Sequence, residues 1–281
     1  MMILTNREEQ LLEEIYKWEE SLQSVEATEM ELLYEEWLEK GLNLIPASVR
    51  ETYLHKIDEG LFQLTALIQG TEMQTQATKR IIETARVFKE DITDLSEMNS
   101  LQVDQLSYIC EQQMAKLRLY ALSQGALSGT GQSLLVGIDI PAVLCMNIQA
   151  VQQAAISYGY HIQTPSELML TLKVFHAATL PRHLQAEGWH QLKSELSQEF
   201  DPYFYEGVDQ IVDKTWLQKI VVQIGKTLAI FAAKRKVYNR LPIVSMMVGG
   251  GMNYRMAKQV TDYAKRFYQY RYLLDKKNES H

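Results

Sequence analysis

The stretch MAKQVTDYAKRFYQYRYLL, residues 256–274, decides the fold class of this chain. Its apolar residues recur every three or four positions, at Met256, Val260, Tyr263, Phe267, Tyr270 and Leu274. On an α-helix this spacing places the side chains on one face, whereas a half-buried strand would alternate apolar and polar residues. The stretch is therefore predicted to form an amphipathic helix.

The same period runs through most of the chain. Leu11, Ile15, Trp18 and Leu22 follow it near the N-terminus. A further stripe consists of Trp216, Ile220, Ile224, Leu228 and Phe231. No segment shows alternating apolar and polar residues bounded by hairpin turns, so a sheet is not predicted. The chain is predicted to be all-α, a single multi-helix domain of about eight to ten helices.

Prolines are expected to mark the ends of these helices. The stretch Thr164-Pro165-Ser166-Glu167 predicts a helix start, with Thr164 as the cap, Pro165 in the first turn and Glu167 closing a capping box. Asp201-Pro202 has a similar pattern. We expect all six prolines at element boundaries.

Composition and charge exclude two broad classes of protein. The 281 residues are 46% hydrophobic and 22% charged, which excludes a disordered chain. The net charge of −7 argues against dedicated nucleic-acid binding. The charge is unevenly spread: residues 1–100 carry 21 acidic and 9 basic side chains, whereas residues 201–281 carry 7 acidic and 14 basic ones.

The cysteines and the N-terminus favour a cytoplasmic location. Cys110 and Cys145 form no CxxC motif, which is typical of a chain kept in a reducing compartment. The N-terminal sequence MMILTNREEQ lacks the basic start and apolar core of a signal peptide. No run of 18 predominantly apolar residues occurs, so a conventional membrane span is not predicted.

Two segments are unusually poor in charge and rich in glycine. Residues 119–166 contain one formal charge, Asp139, and residues 241–254 contain none. Small residues fall four apart in the first segment, at Ala121, Gly125, Gly129, Ser133 and Gly137, and the second contains Gly249, Gly250 and Gly251. Such rows let helix backbones approach closely. They predict either two closely packed core helices or a helical hairpin that rests on or dips into a bilayer.

Basic residues flank the second segment on both sides. Lys234, Arg235, Lys236 and Arg240 precede it, and Arg255 and Lys258 follow it. Basic clusters beside an apolar stretch are attracted to anionic lipid on the cytoplasmic face of a membrane. An ordinary solvated surface is the alternative. The membrane interpretation makes the glycines of both segments and this basic flank the expected contacts.

Candidate chemistry is sparse, and no cofactor or metal is predicted. His183, Glu187 and His190 would share a face if they lay on one helix, so they are the metal candidates. Asp139 is an isolated acid that would cap a helix starting near Pro141 or pair with Arg255. Were the protein an enzyme, Asp139 and Arg255 would be its catalytic candidates.

Several short motifs resemble the EcsC family. They are Gly125-Ala126 with Gly129 and Gly131, Asp139-Ile140-Pro141, Asn147-Ile148-Gln149, Tyr158-Gly159-Tyr160, Leu241-Pro242-Ile243 and Asn253-Tyr254-Arg255. The resemblance runs from about residue 40 to residue 272. It divides the chain into an acidic N-terminal helical arm (1–40), an EcsC-like all-α domain (41–275) and a tail (276–281).

The resemblance implies a helical bacterial protein encoded beside an ABC transporter, with no catalytic residues to carry over. Together with the charge pattern it predicts a non-catalytic accessory protein, peripheral on the inner face of the cell membrane. Its expected partners are anionic lipid and an ABC transporter or secretion machinery, and not nucleic acid. One alternative is a hydrolase-like enzyme acting on a lipid near Asp139 and Arg255. Another is a soluble scaffold that binds proteins through its acidic N-terminal helices.

Overall fold

The computed structural model describes residues 4–27, 29, 32–33, 36, 40, 46–128, 136–196 and 242–278. These residues form eight α-helices and two short 3-10 helices, with no strand among them. The α-helices are α1 (Asn6–Gln23), α2 (Ala47–Gln69), α3 (Glu72–Arg86), α4 (Val103–Ser128), α5 (Val136–Ser157), α6 (Pro165–Thr179), α7 (Gln185–Leu196) and α8 (Pro242–Asn278). The 3-10 helices are Leu95–Ser100 and Arg182–Leu184. The all-α prediction is confirmed.

Helix α8 is the centre of the fold and contains the stretch that predicted it. It packs against α4 most extensively, and also against α5, α6 and α1. Val260, Tyr263 and Phe267 are buried as the stripe predicts, whereas Met256, Tyr270 and Leu274 are half-buried. The buried set also includes Ala257, Thr261, Ala264, Tyr268, Gln269, Tyr272 and Leu273. The buried face is wider than one stripe because neighbouring helices cover α8 on several sides.

Polar contacts between α4 and α8 show that the two helices run antiparallel. The Arg118 guanidinium donates to Asp262 at 2.8 Å, and the Lys265 ammonium donates to Glu111 at 3.0 Å. Towards the other end, the Gln269 amide donates to the Ser107 hydroxyl at 2.9 Å. Residue numbers therefore rise along α4 as they fall along α8.

Helix α5 runs back along α4, so it is antiparallel to α4 as well. The Tyr158 and Ser107 hydroxyls lie 3.1 Å apart, which places the end of α5 beside the start of α4. The Tyr158 ring also packs 6.2 Å from the Tyr272 ring on α8. Helices α4, α5 and α8 therefore form one bundle with a fixed register.

The N-terminal helix α1 docks onto this bundle. Leu11, Ile15 and Leu22 are buried, and α1 contacts α7 and α8. At its start Glu8 is almost fully buried and pairs with Lys276 of α8. Helix α1 is therefore packed on one face and solvated on the other, and the division of the chain at residue 40 stays a prediction.

The start of α6 confirms half of the predicted capping box. The Thr164 hydroxyl accepts from the Glu167 backbone N–H at 3.3 Å, and Pro165 is the first helical residue. The Glu167 carboxylate does not return to the cap as predicted. It binds Arg271 of α8 instead, because a charged partner on a packed helix outcompetes a backbone N–H.

The prolines follow the boundary prediction with one exception. Pro46, Pro165, Pro181 and Pro242 each begin or precede a helix, and Pro202 lies outside the described residues. Pro141 lies inside α5, so the prediction that a helix starts there with Asp139 as its cap is wrong. The described part of α5 starts at Val136, so Asp139 is a helical residue and not the residue that precedes the helix.

The Tyr158-Gly159-Tyr160 motif ends α5 in a Schellman turn. The Tyr160 N–H donates to the Ala155 carbonyl at 3.1 Å, and the Gly159 N–H donates to the Ile156 carbonyl at 2.9 Å. Gly159 has φ of 85°, and a Cβ atom there would lie 3.1 Å from the Leu95 carbonyl oxygen. Only glycine fits both the left-handed backbone and this close approach.

Candidate functional site

The bundle gathers the Gly-rich segments at one end. Helix α4 ends at Ser128 and α5 begins at Val136, and the antiparallel register, with Arg118 beside Asp262, places both ends near residue 252 of α8, about ten residues after α8 begins at Pro242. We call residues 119–128, 136–143 and 242–258 the Gly-rich end. The two segments singled out by sequence therefore meet in space, because α4 pairs with both α5 and α8.

The predicted contact residues fall into three groups. Gly125 is buried, and Gly251 is exposed with nothing within 4 Å of the position its Cβ would take. Gly137 lies in the first turn of α5, and Gly249 and Gly250 lie in the third turn of α8. Gly129, Lys234, Arg235, Lys236 and Arg240 lie outside the described residues.

Large apolar side chains are exposed at the Gly-rich end. Leu119 and Tyr120 on α4 are each 61% exposed, and Leu122 is 40% exposed. On α8, Tyr254 is also exposed. Single exposed apolar residues are ordinary, whereas several at one end of a molecule mark a contact surface.

Basic residues border this apolar surface along the seam between α4 and α8. The Arg118–Asp262 ion pair fixes which faces of the two helices meet. Leu122 follows Arg118 by four positions, and Lys258 and Arg255 precede Asp262 by four and seven, so all three lie on the faces beside the seam. Both basic residues are exposed.

An ion-pair network holds the seam together. The Glu111 carboxylate accepts from Arg118 at 2.7 Å as well as from Lys265. Burial alone would raise the pKa of Glu111, but the hydrogen bonds and charges of Lys265 and Arg118 outweigh it and lower this pKa. Glu111 therefore stays ionised at neutral pH and keeps its ion pairs with Arg118 and Lys265.

The proposed pair of Asp139 and Arg255 is placed at this same end by the backbone. Asp139 lies in the first turn of α5, and Arg255 lies in the part of α8 that belongs to the Gly-rich end. The Arg255 side chain is exposed, and the side chain of Asp139 lies outside the described part of the structure. Their pairing stays a prediction.

The metal candidates do not share one helix. His183 lies on the 3-10 helix Arg182–Leu184, whereas Glu187 and His190 lie on α7 and are exposed. The condition for a common face, that all three lie on one helix, is not met, because His183 lies in the 3-10 turn that leads into α7. Across the described ranges, no group of three His, Cys, Asp or Glu side chains could hold a metal ion.

Cysteine chemistry is not available at Cys110. Its thiol is fully buried on α4, and burial raises its pKa to about 12. Because the thiolate is the reactive form, this side chain stays protonated and inert at neutral pH. It fills the core between α4 and its neighbours.

Sequence reasoning missed a buried polar cluster at the other end of α8. The Arg271 guanidinium donates to both carboxylate oxygens of Glu167, at 2.8 Å and 2.5 Å. It also lies 3.8 Å from the centroid of the Tyr160 ring, whose hydroxyl donates to Asp275 at 2.7 Å. Burial alone would lower the pKa of Arg271. The hydrogen bonds and charge of Glu167 raise this pKa by more than burial lowers it, so the net change is upward. The cluster ties the Tyr-Gly-Tyr turn to α6 and α8.

None of the helices in the described ranges combines the length and the apolar character needed to cross a membrane.

Fold and site together define the class: an all-α protein built around one long helix, with an apolar and basic surface where the Gly-rich parts of three helices lie together. The model of the EcsC protein family matches residues 9–273, and the chain belongs to this family. The match begins at residue 9 rather than near residue 40, so it includes α1.

A curated relative supports this assignment. It is a protein of Bacillus subtilis (strain 168) described as uncharacterized protein YdbA, 24% identical over 285 residues, which cover 98% of this chain and 97% of the relative. No solved structure matches the chain.

Proposed function

We propose that the protein attaches peripherally to the inner face of the cell membrane through its Gly-rich end. The observation that carries the proposal is the seam between α4 and α8, where exposed Leu122 lies on the same side as exposed Arg255 and Lys258, with Leu119, Tyr120 and Tyr254 also exposed at this end. Apolar side chains enter the interfacial region of a bilayer, and basic side chains beside them meet anionic headgroups.

The geometry favours resting on the bilayer over spanning it. The apolar side chains lie exposed on packed helices, and α4 and α8 are tied to each other by Arg118, Glu111 and Lys265. Of these two helices in the described part of the chain, the last turns of α4 and the first turns of α8 are therefore left available to a membrane. Shallow attachment of this kind depends on both apolar contact and charge.

The charge component gives the first prediction. In vesicle flotation, the protein is expected to float with phosphatidylglycerol vesicles and much less with phosphatidylcholine vesicles. Because each basic residue near an anionic surface contributes about 1 kcal/mol, and Lys258 also pairs with Asp262 at 2.5 Å, Arg255→Gln with Lys258→Gln should lower the partition coefficient about fivefold to thirtyfold. Raising the salt from about 0.1 M to about 1 M should release much of the wild-type protein, since the Debye length shortens from about 10 Å to about 3 Å.

The matched control removes the same charge elsewhere. Lys89→Gln with Lys277→Gln changes two exposed lysines outside the Gly-rich end and should leave vesicle binding unchanged. Equal losses in the two double variants would show that only net charge matters. Absence of wild-type binding to phosphatidylglycerol vesicles would contradict the proposal outright.

The second step of the proposal is a non-catalytic accessory role beside an ABC transporter or a secretion process. Its support is membership of a family whose name comes from a gene beside transporter subunits. Affinity purification from gently solubilised bacterial membranes tests it, and we expect transporter subunits to co-purify. Their absence, with the Gly-rich end still binding vesicles, would leave membrane attachment standing and remove the transporter link.

A further inference from the structure

A groove runs along α3, far from the Gly-rich end. It has a volume of about 440 Å³ and is closed on its other side by the chain between α5 and α6 and by the residues before the Leu95–Ser100 helix. Its apolar lining consists of Ile82, Leu95, Ile156 and Ile162. Its volume is within the range of small-ligand sites. The groove follows α3 from Gln74 to Arg86, a length of about 18 Å at 1.5 Å per residue.

Gln74 is the unusual residue of this groove. It lies on the buried face of α3 with Ala77, Ile81 and Ala85, at a position where the helical pattern calls for an apolar residue. It is 2% exposed, and neither its amide oxygen nor its amide nitrogen has a hydrogen-bond partner among the described residues. A buried amide with both groups unpaired is unfavourable and demands an explanation.

Gln74 offers one acceptor and two donors in the same plane. A peptide unit is the natural complement, because its N–H and C=O can satisfy the amide oxygen and the amide nitrogen together. A simple acyl chain has nothing to offer either group. The two unpaired atoms therefore favour a ligand with peptide groups over a lipid.

The charges along the groove favour an acidic ligand. Lys79 and Arg86 line it with one acidic residue, Glu83, and His161 lies at the far end. The Arg86 Nε–H donates to the Ile92 carbonyl at 2.7 Å, which holds the guanidinium at that end. Arginine and lysine in this setting bind carboxylates.

We propose that the groove binds an extended acidic peptide. At 3.3 to 3.6 Å per residue, about five residues span its length. One peptide unit pairs with Gln74, apolar side chains cover the isoleucines, and a carboxylate meets Arg86 and Lys79. The proposal is independent of membrane attachment, since the groove adjoins the end of α5 opposite the Gly-rich end.

The test uses a pool of acetylated pentapeptides, with Val, Ile or Leu at the first four positions and Glu with a free carboxyl group at the fifth. We expect the pool to raise the melting temperature and to bind in calorimetry. A pool with amidated Gln at the fifth position should bind at least tenfold more weakly. Dodecanoate should not displace the acidic pool.

Two variants locate the binding. Gln74→Leu should weaken the acidic pool at least tenfold while leaving the melting temperature of the free protein unchanged or raised, because no hydrogen bond is lost. Lys79→Gln should weaken binding of the acidic pool about threefold. This variant tests the proposal if Gln74→Leu does not fold. The controls on exposed positions are Gln76→Leu and Lys89→Gln, which should bind as the wild type does.

Three results would overturn the proposal. The first is that neither pool binds, and the second is that both pools bind equally. The third is that Gln74→Leu and Lys79→Gln bind as tightly as their controls. Displacement by dodecanoate would assign the groove to a lipid instead.

Discussion

Replacing Trp189 with alanine will lower the free energy of unfolding by about 3–5 kcal/mol. Its ring is fully buried where α1, α7 and α8 meet. It makes edge contacts with Trp18 at 4.9 Å, Tyr263 at 5.7 Å and Phe267 at 6.1 Å between ring centroids. Alanine would leave a cavity between three helices that cannot all move inward. Urea unfolding followed by circular dichroism measures the loss.

Two further variants give this prediction its controls. Trp189→Phe should lose less, because the indole N–H has no hydrogen-bond partner among the described residues and an aromatic ring remains. Tyr108→Ala removes an exposed aromatic side chain and should change stability by less than about 0.5 kcal/mol. A loss of under about 1 kcal/mol for Trp189→Ala would show that α1 does not depend on this cluster for docking.

The local pattern of apolar residues was enough to predict α1 and α8. Leu11, Ile15 and Leu22 are buried as their spacing indicates. The same reasoning missed Tyr268 and Tyr272 because it assumes that a helix buries one face. How many neighbours surround a helix depends on the tertiary arrangement, and one sequence carries little signal for that.

Long-range partners could not be predicted for the same reason. Glu167 was assigned to its own helix cap, yet its partner Arg271 is 104 residues away. The capping box is a local rule, and the deciding interaction is between two packed helices. Similarly, the spacing of His183, Glu187 and His190 would give a shared face on one α-helix, but His183 lies in the 3-10 turn that precedes α7.

The groove beside α3 carried a signal that could have been recognised. Gln74 precedes Ala77, Ile81 and Ala85 by helical spacing, so the sequence already places a polar residue on an apolar face. What the sequence could not show is that both atoms of its amide lack partners. That observation depends on the packing of α3 against its neighbours.

Removing the buried cation gives the second large effect: Arg271→Leu should lower the free energy of unfolding by about 3–5 kcal/mol. The side chains of Arg271 and Glu167 are each only 15% exposed, so the variant leaves a carboxylate unpaired inside the protein. It also removes the cation from the face of the Tyr160 ring. Urea unfolding of Arg271→Leu, of Glu167→Gln and of the variant that carries both changes measures the coupling between the two side chains.

The double variant Glu167→Gln with Arg271→Leu should recover much of this loss, because it removes the unpaired charge as well as the pair. Arg7 provides the matched control: it pairs with Asp104, but its side chain is 48% exposed. Arg7→Leu should therefore leave the free energy of unfolding nearly unchanged. Additive losses in the double variant would contradict a stabilising ion pair between Arg271 and Glu167. They would mean that Arg271 stabilises the protein by packing alone and that the Glu167 carboxylate does not need a partner.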